Sequence, residues 1–317
     1  MAQIPDRYRR AAIIGGTAWL PSKPRVRVRR RLLWSLQRSQ ARKANVVIVV
    51  HPKSGGTWLR VMLFRLFQRK YDLPARRVMK TDELQRYNQA LPRFVVSNGH
   101  YSYEAAVREV LTREFSDDKR LILLARNPCD IAVSWYLQFT RRISPAKREL
   151  ILHELRQPID FKTISRWEFV MHPELGLPGL IDYHNQWAEF FAGRDNALIV
   201  RYEDLRAQTR ATLQRITASL GELFSSEELD EAVEFASFDN LRRLEEANYF
   251  HNAGLRLQNR NDPSRYKVRR GKVGGFRDDF EPAQAEAMAA MVRERLNPIL
   301  GYSGPDTLGM AAGSQRA

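Results

Sequence analysis

Asn45-Val46-Val47-Ile48-Val49-Val50-His51-Pro52-Lys53-Ser54-Gly55-Gly56-Thr57-Trp58-Leu59-Arg60-Val61-Met62-Leu63 contains a change of hydrophobic period that decides the fold class. Asn45 to Val50 is a short β-branched apolar run, the pattern of a strand buried on both faces. After the loop, Leu59, Met62, Leu63, Leu66 and Phe67 recur at i, i+3 and i+4, the spacing of an amphipathic helix. The stretch therefore reads strand, glycine-containing loop, helix.

The same unit returns further along. Leu121 to Ala125 leads into a helical pattern through Ile131, Trp135 and Phe139, and Leu198 to Val200 leads into Leu205, Leu213, Ile216 and Leu220. Phe94 to Ser97 supplies a fourth strand. Strands alternating with helices imply an α/β fold, with a central parallel β-sheet flanked by helices on both faces and the site at the carboxyl ends of the strands. Between Arg141 and Trp187 the rhythm breaks at Pro145, Pro158, Pro173 and Pro178, and we expect a lid or acceptor wall there.

The chain has 317 residues and a formal net charge of +16, and the charge is unevenly placed. Twelve basic side chains and one acid fall within residues 1–45, so this segment carries +11 and the remainder is close to balanced. A balanced body argues against a nucleic-acid binder. We expect a basic arm over 1–44, solvated and partly disordered, a catalytic domain over 45–300, and a Gly/Ser/Ala-rich mobile tail over 301–317. The arm's cations and its interspersed Trp19, Leu32, Leu33 and Trp34 suit peripheral contact with an anionic membrane. The apolar run Ala11 to Leu20 is about half the ~20 residues needed to span a bilayer. A single cysteine, Cys129, excludes an internal disulfide and suits a reducing compartment, so the expected location is cytoplasmic. One Cys and dispersed His offer no ligand set for zinc, and no metal site is expected.

The loop Lys53-Ser54-Gly55-Gly56-Thr57-Trp58 reads as a phosphate cradle. Two glycines let backbone N–H groups converge on an anion, and the helix N-terminus adds partial positive charge. It departs from the ATP-type loop, in which lysine follows the second glycine; here Lys53 precedes both.

The chain resembles the PAPS-dependent sulfotransferases, whose cradle has the form Pro-Lys-Ser-Gly-Thr-Thr-Trp; Gly56 replaces a threonine. A second signature is Ala125-Arg126-Asn127-Pro128-Cys129-Asp130-Ile131-Ala132-Val133-Ser134-Trp135-Tyr136. The resemblance implies a P-loop-like three-layer α/β/α fold and 3′-phosphoadenosine-5′-phosphosulfate (PAPS) as sulfuryl donor, leaving 3′,5′-diphosphoadenosine (PAP). It implies that Arg126 and Ser134 hold the donor's 3′-phosphate, that Tyr202 in Arg201-Tyr202-Glu203-Asp204-Leu205 contacts the donor, and that Phe238 and Trp58 clamp the adenine. Arg269-Arg270-Gly271-Lys272-Val273-Gly274-Gly275-Phe276 resembles the family's loop over the 3′-phosphate, with Phe276 in place of a tryptophan.

Activation of an acceptor hydroxyl needs a base near neutral pH. His100 follows the Phe94–Ser97 strand and should emerge at the catalytic edge; His51, beside the cradle, is the alternative. Family members often have Lys-Thr before this histidine, whereas here Asn98 and Gly99 leave out that lysine. The implied chemistry is in-line sulfuryl transfer, with Lys53 offsetting charge on the leaving oxygen. An ATP-dependent small-molecule kinase and a binding module recruited by the arm are the rival readings. Among acceptors, a carbohydrate or glycolipid fits the arm and the polar and aromatic residues Arg141, Arg142, Lys147, Arg148 and Trp167.

Overall fold

The computed structural model describes residues 6–76, 84–97, 110–111, 117–250 and 272–304. Strands β1 (Val46–Val50), β2 (Phe94–Ser97), β3 (Arg120–Ala125) and β4 (Ala197–Arg201) form a parallel sheet in the order β2-β1-β3-β4. Val50 pairs with Leu124, and Ala125 with Arg201, so the carboxyl ends of β1, β3 and β4 finish side by side.

Alternation along β1 separates two cores. Val47 and Val49 face a layer built from α4 (Pro128–Leu137), α6 (Arg166–Met171), α7 (Leu177–Phe191) and α12 (Pro282–Arg295), with Trp135, Phe169, Trp187 and Met288 buried there. Val46, Ile48 and Val50 face α3 (Gly56–Lys70), α9 (Thr209–Ser219) and α10 (Ser226–Phe235), with Met62, Phe67, Leu213, Ile216 and Leu229. Every β1 residue is buried, which is why the strand shows no polar alternation. Each such side chain contributes about 1.5–3 kcal/mol by leaving water. The expected three-layer α/β/α architecture is present.

Three local departures have physical reasons. The helix expected after β4 is two helices, α8 (Tyr202–Ala207) and α9, because Gln208 leaves helical geometry at φ −133°, ψ 59°. The one after β3 ends in a π turn over Gln138–Arg142, which carries Phe139 into the core. Tyr302, assigned by sequence to a mobile tail, is fully buried, and its hydroxyl donates to Glu203 Oε2 at 2.5 Å. Residues 305–317 of that tail lie outside the described residues.

The basic arm is helical where described: α1 (Asp6–Gly16) and α2 (Ser22–Lys43). The helices are tied together by Arg10 donating to Gln37 Oε1 at 3.1 Å and Arg29 to Thr17 Oγ1 at 2.8 Å. Val26 and Leu33 of α2 pack on Leu150 of α5 (Pro145–Leu152). Glu149 of α5 accepts from both Arg25 and Arg29. Burial pushes the Glu149 carboxyl up, but hydrogen bonds from Arg25 and Ser22 outweigh it and leave it below its ordinary value. The counter-charges that order the arm come from more than a hundred residues away, so composition alone read it as solvated.

Candidate functional site

The site grows from the turn between β1 and α3. Lys53 and Gly55 both hold left-handed backbone, at φ +81° and +88°. That geometry is rare for lysine and costs roughly 1–2 kcal/mol, a strain that concentrates at functional loops. Gly55 has a second requirement: a Cβ there would sit 2.5 Å from Tyr202 Cδ2. The first closed bond of α3 runs from Leu59 N–H to Gly55 O at 3.1 Å, so the N–H groups of Gly56, Thr57 and Trp58 have no acceptor within their own helix. Ser54 Oγ is completely buried and has no hydrogen-bond partner among the described residues. A buried orphan hydroxyl beside free helix N-terminal donors fits a phosphate group, whose oxygens would satisfy both. Arg60, one turn into α3, donates to Gly56 O at 3.0 Å and lies 3.4 Å from Thr57 Oγ1. Burial draws its pKa down to about 10, which still leaves a cation at neutral pH.

Parallel register brings Arg126, just past β3, to this loop. Its guanidinium donates to Lys53 O at 2.9 Å and to Lys272 O at 3.2 Å, and lies 4.4 Å from the centre of the Tyr202 ring. Tyr202 therefore stands between Gly55 and Arg126 and seats both. Ser134 is half-buried on α4, one turn beyond Asp130.

Asp130 is a residue the sequence reading passed over. Its buried carboxylate accepts from Gly274 N–H at 2.9 Å and Phe276 N–H at 3.0 Å, and lies 3.4 Å from the Arg126 guanidinium. It thus pins the segment that follows Gly271 against the same corner as Arg126. Arg269, Arg270 and Gly271 themselves lie outside the described residues, as do Asn98, Gly99 and His100. Glu203 and Tyr302 form another unforeseen support: Glu203 accepts from Asn127 N–H at 3.0 Å as well as from Tyr302, and burial raises its carboxyl pKa against those bonds. Asn127 in turn caps α4 by accepting from Cys129 N–H at 2.9 Å. Cys129 is buried, and desolvation pushes its thiol far up, away from reactivity. An acidic residue at the start of a helix was the available signal for Asp130, but its partners are 144 and 146 residues distant.

The Trp58 indole donates to Ala236 O at 2.8 Å, two residues before Phe238. Phe238 opens α11 (Phe238–Glu246) after the capping Ser237 and is 37% exposed. The two aromatics expected to clamp a base thus lie on adjoining segments at the cradle.

His51 is buried directly beneath the cradle, its Nδ1 donating to Pro52 O at 2.8 Å. Around it stand Tyr183, Trp135 and His184, with ring centres at 5.2, 5.7 and 6.4 Å. His184 donates from Nδ1 to Leu180 O at 2.7 Å, and complete desolvation lowers its pKa to about 4. Ser97 Oγ, at the end of β2, is a further buried hydroxyl without a partner among the described residues. This aromatic and histidine cluster was not anticipated beyond His51, because α7 reaches the site only through sheet packing.

The family described as Sulfotransferase domain matches residues 43–299. The amine sulfotransferase of Oryctolagus cuniculus is 23% identical over 280 residues, covering 84% of this chain and 85% of that protein. Cytosolic sulfotransferase 13 of Arabidopsis thaliana is 25% identical over 281 residues, covering 84% and 81%. Mouse sulfotransferase SULT7A1, solved in complex with PAP, superposes with a TM-score of 0.55 at 21% identity, covering 83% of this chain and 88% of that one, a likeness of fold.

Proposed function

Starting from a chain that belongs to the sulfotransferase domain family and is a PAPS-dependent enzyme, we propose that its acceptor is a hydroxyl of a carbohydrate or glycolipid and that His100 is its general base. The family by itself implies a hydroxyl- or amine-bearing acceptor. The donor brings an electrophilic sulfur and a phosphate leaving group. His100 takes the acceptor proton as the new O–S bond forms. Lys53, with the N–H groups of Gly56, Thr57 and Trp58, offsets charge on the departing phosphate oxygen; such preorganised donors contribute several kcal/mol because they do not reorganise. Arg126, Ser134, Arg270 and the neighbouring Arg269 and Gly271 hold the 3′-phosphate. Ser54 satisfies the 5′ end, Tyr202 seats Arg126, and Trp58 and Phe238 sandwich the adenine.

The observation that carries the donor-site reading is the Arg126 junction. A single guanidinium bridges the cradle carbonyl of Lys53 and the C-terminal carbonyl of Lys272, so three segments distant in sequence meet at one cation. The carbohydrate reading is supported by Arg148, Trp167 and their neighbours in the segment between the π turn and α7. We read the protein as cytoplasmic, with the arm making peripheral contact with an anionic membrane. Among the described residues no helix is long and apolar enough to cross a bilayer.

Titration calorimetry of PAP and 5′-AMP tests the donor site, because only PAP carries the 3′-phosphate. The unmutated protein should prefer PAP strongly. Arg126→Ala should lose about 1.5–3 kcal/mol for PAP, roughly tenfold to a hundredfold, and little for 5′-AMP. Equal affinity for the two nucleotides in the unmutated protein would remove Arg126 and its partners from the donor site.

A further inference from the structure

The cations in the first half of α2 divide into two sets. Arg25 and Arg29 bond Glu149, and Arg30 pairs with Glu154 at 3.0 Å while donating to Leu150 O. Lys23, Arg27 and Arg31 are exposed, and no carboxylate among the described residues pairs with them. Their i, i+4, i+8 spacing sets them in one row along the helix. Together with Arg30, Val26, Trp34 and His153 they line a cavity of about 480 Å³ beside α5, and among the described residues no acidic side chain lines it.

Apolar groups continue the exposed surface beyond the cavity: Val28 and Leu32, each one residue on from Arg27 and Arg31 and so about 100° further round α2, are 37% and 43% exposed, and Trp19 in the α1–α2 turn is 79% exposed. Leu33 and Gln37 of α2 are buried against the body of the protein, and Val26 is buried at the inner edge of the cavity. The helix therefore lies flat on the domain and turns its cationic and apolar side outward.

We propose that this cavity binds the phosphate of an anionic lipid headgroup, with Trp19, Val28 and Leu32 entering the interfacial layer around it. Arginine forks match phosphate oxygens in pairs, and a cavity lined by cations without a carboxylate is complementary to an anion. Exposed tryptophan and aliphatic side chains gain nothing from a soluble ion. They do gain from a bilayer surface, where apolar burial and attraction to anionic lipid add. Surface docking would hold the catalytic domain where a glycolipid presents its hydroxyl. The binding rests on the proposed contact of the arm with an anionic membrane, and its purpose on the glycolipid reading.

Removing the arm is a poor test, since residues 26–41 supply buried side chains to the fold. Exposed substitutions avoid this. The full chain should bind vesicles of phosphatidylcholine with phosphatidylglycerol and not vesicles of phosphatidylcholine alone. About 1 kcal/mol for each basic residue near an anionic surface is roughly fivefold, so Lys23→Ala/Arg27→Ala/Arg31→Ala should weaken vesicle binding about a hundredfold. Trp19→Ala should weaken it in a way that added salt does not mimic. PAP affinity should stay unchanged in both variants, showing that each is folded. Equal binding to the two vesicle types, or wild-type vesicle binding by the triple variant, overturns the proposal. So does binding of inorganic phosphate that depends on the three cations when vesicles do not bind at all. No sulfuryl transfer enters this measurement, so its failure leaves the acceptor reading to be judged separately, by transfer to a soluble glycan.

Discussion

Replacing Asp130 by asparagine isolates what the C-terminal segment does for the donor site. The carboxylate offers Oδ2 to Gly274 N–H and the Arg126 guanidinium, and Oδ1 to Phe276 N–H. Asparagine has one acceptor oxygen, so in either orientation its amide NH2 must face a donor. One charge-assisted bond is lost and one buried N–H is left unmet, a combined cost of about 2–4 kcal/mol. Global melting should fall by about 2 °C for each kcal/mol in a chain of this size, hence roughly 4–8 °C. Opening only the segment from Lys272 to Phe276 would relieve part of that cost, and such opening would carry the adjoining Arg270 away from the 3′-phosphate. Calorimetry should then find PAP weakened about tenfold or more while 5′-AMP changes by less than about threefold. The pairing of the two ligands separates a local effect from general loss of folded protein, which would weaken both alike. An Asp130→Asn protein that melts lower yet keeps its full preference for PAP would refute the idea that this carboxylate positions the 3′-phosphate site.

Gly55→Ala should destabilise by about 2–4 kcal/mol, from left-handed backbone plus a Cβ 2.5 Å from Tyr202. Gly193→Ala, at φ +70° in open space, should cost only about 1 kcal/mol, and equal losses in denaturant melts would rule out the Tyr202 wedge. His184, held at about 4 against an ordinary 6.5, binds its proton more readily in the unfolded chain. Its contribution to stability is therefore complete above pH 6.5 and falls as pH drops toward 4, by about 3 kcal/mol in all. His184→Gln should flatten that limb in urea melts, and an unchanged acid profile would contradict the buried neutral imidazole. His100→Ala should lower turnover by ~10²–10⁴ with PAP binding intact, and wild-type turnover would transfer the role of base elsewhere. Lys53→Ala should lower turnover by ~10²–10³, and an unaltered rate would exclude it from charge stabilisation.

Much of the fold was legible because its signals are local. Val46 to Val50 is apolar on both sides, Leu59 to Phe67 keeps helical spacing, and the glycines between them mark a turn that needs left-handed backbone at Gly55. Arg126 was assigned to the donor by the family resemblance, and parallel strands that end together bring it to the cradle. Other residues took their meaning only from tertiary contact. Asp130 is an ordinary helix-start acid until the chain returns 144 residues later with two N–H groups, and Glu203 waits 99 residues for Tyr302. The arm shows the same limit in its charges: residues 1–45 carry +11 however they are read, but Glu149 on α5 and Glu154 in the turn after it decide which arginines are structural. Composition counts charge and periodicity finds faces, both properties of neighbouring residues. Which cation meets which carboxylate depends on how separate elements pack, and only the folded chain brings those partners within hydrogen-bond reach.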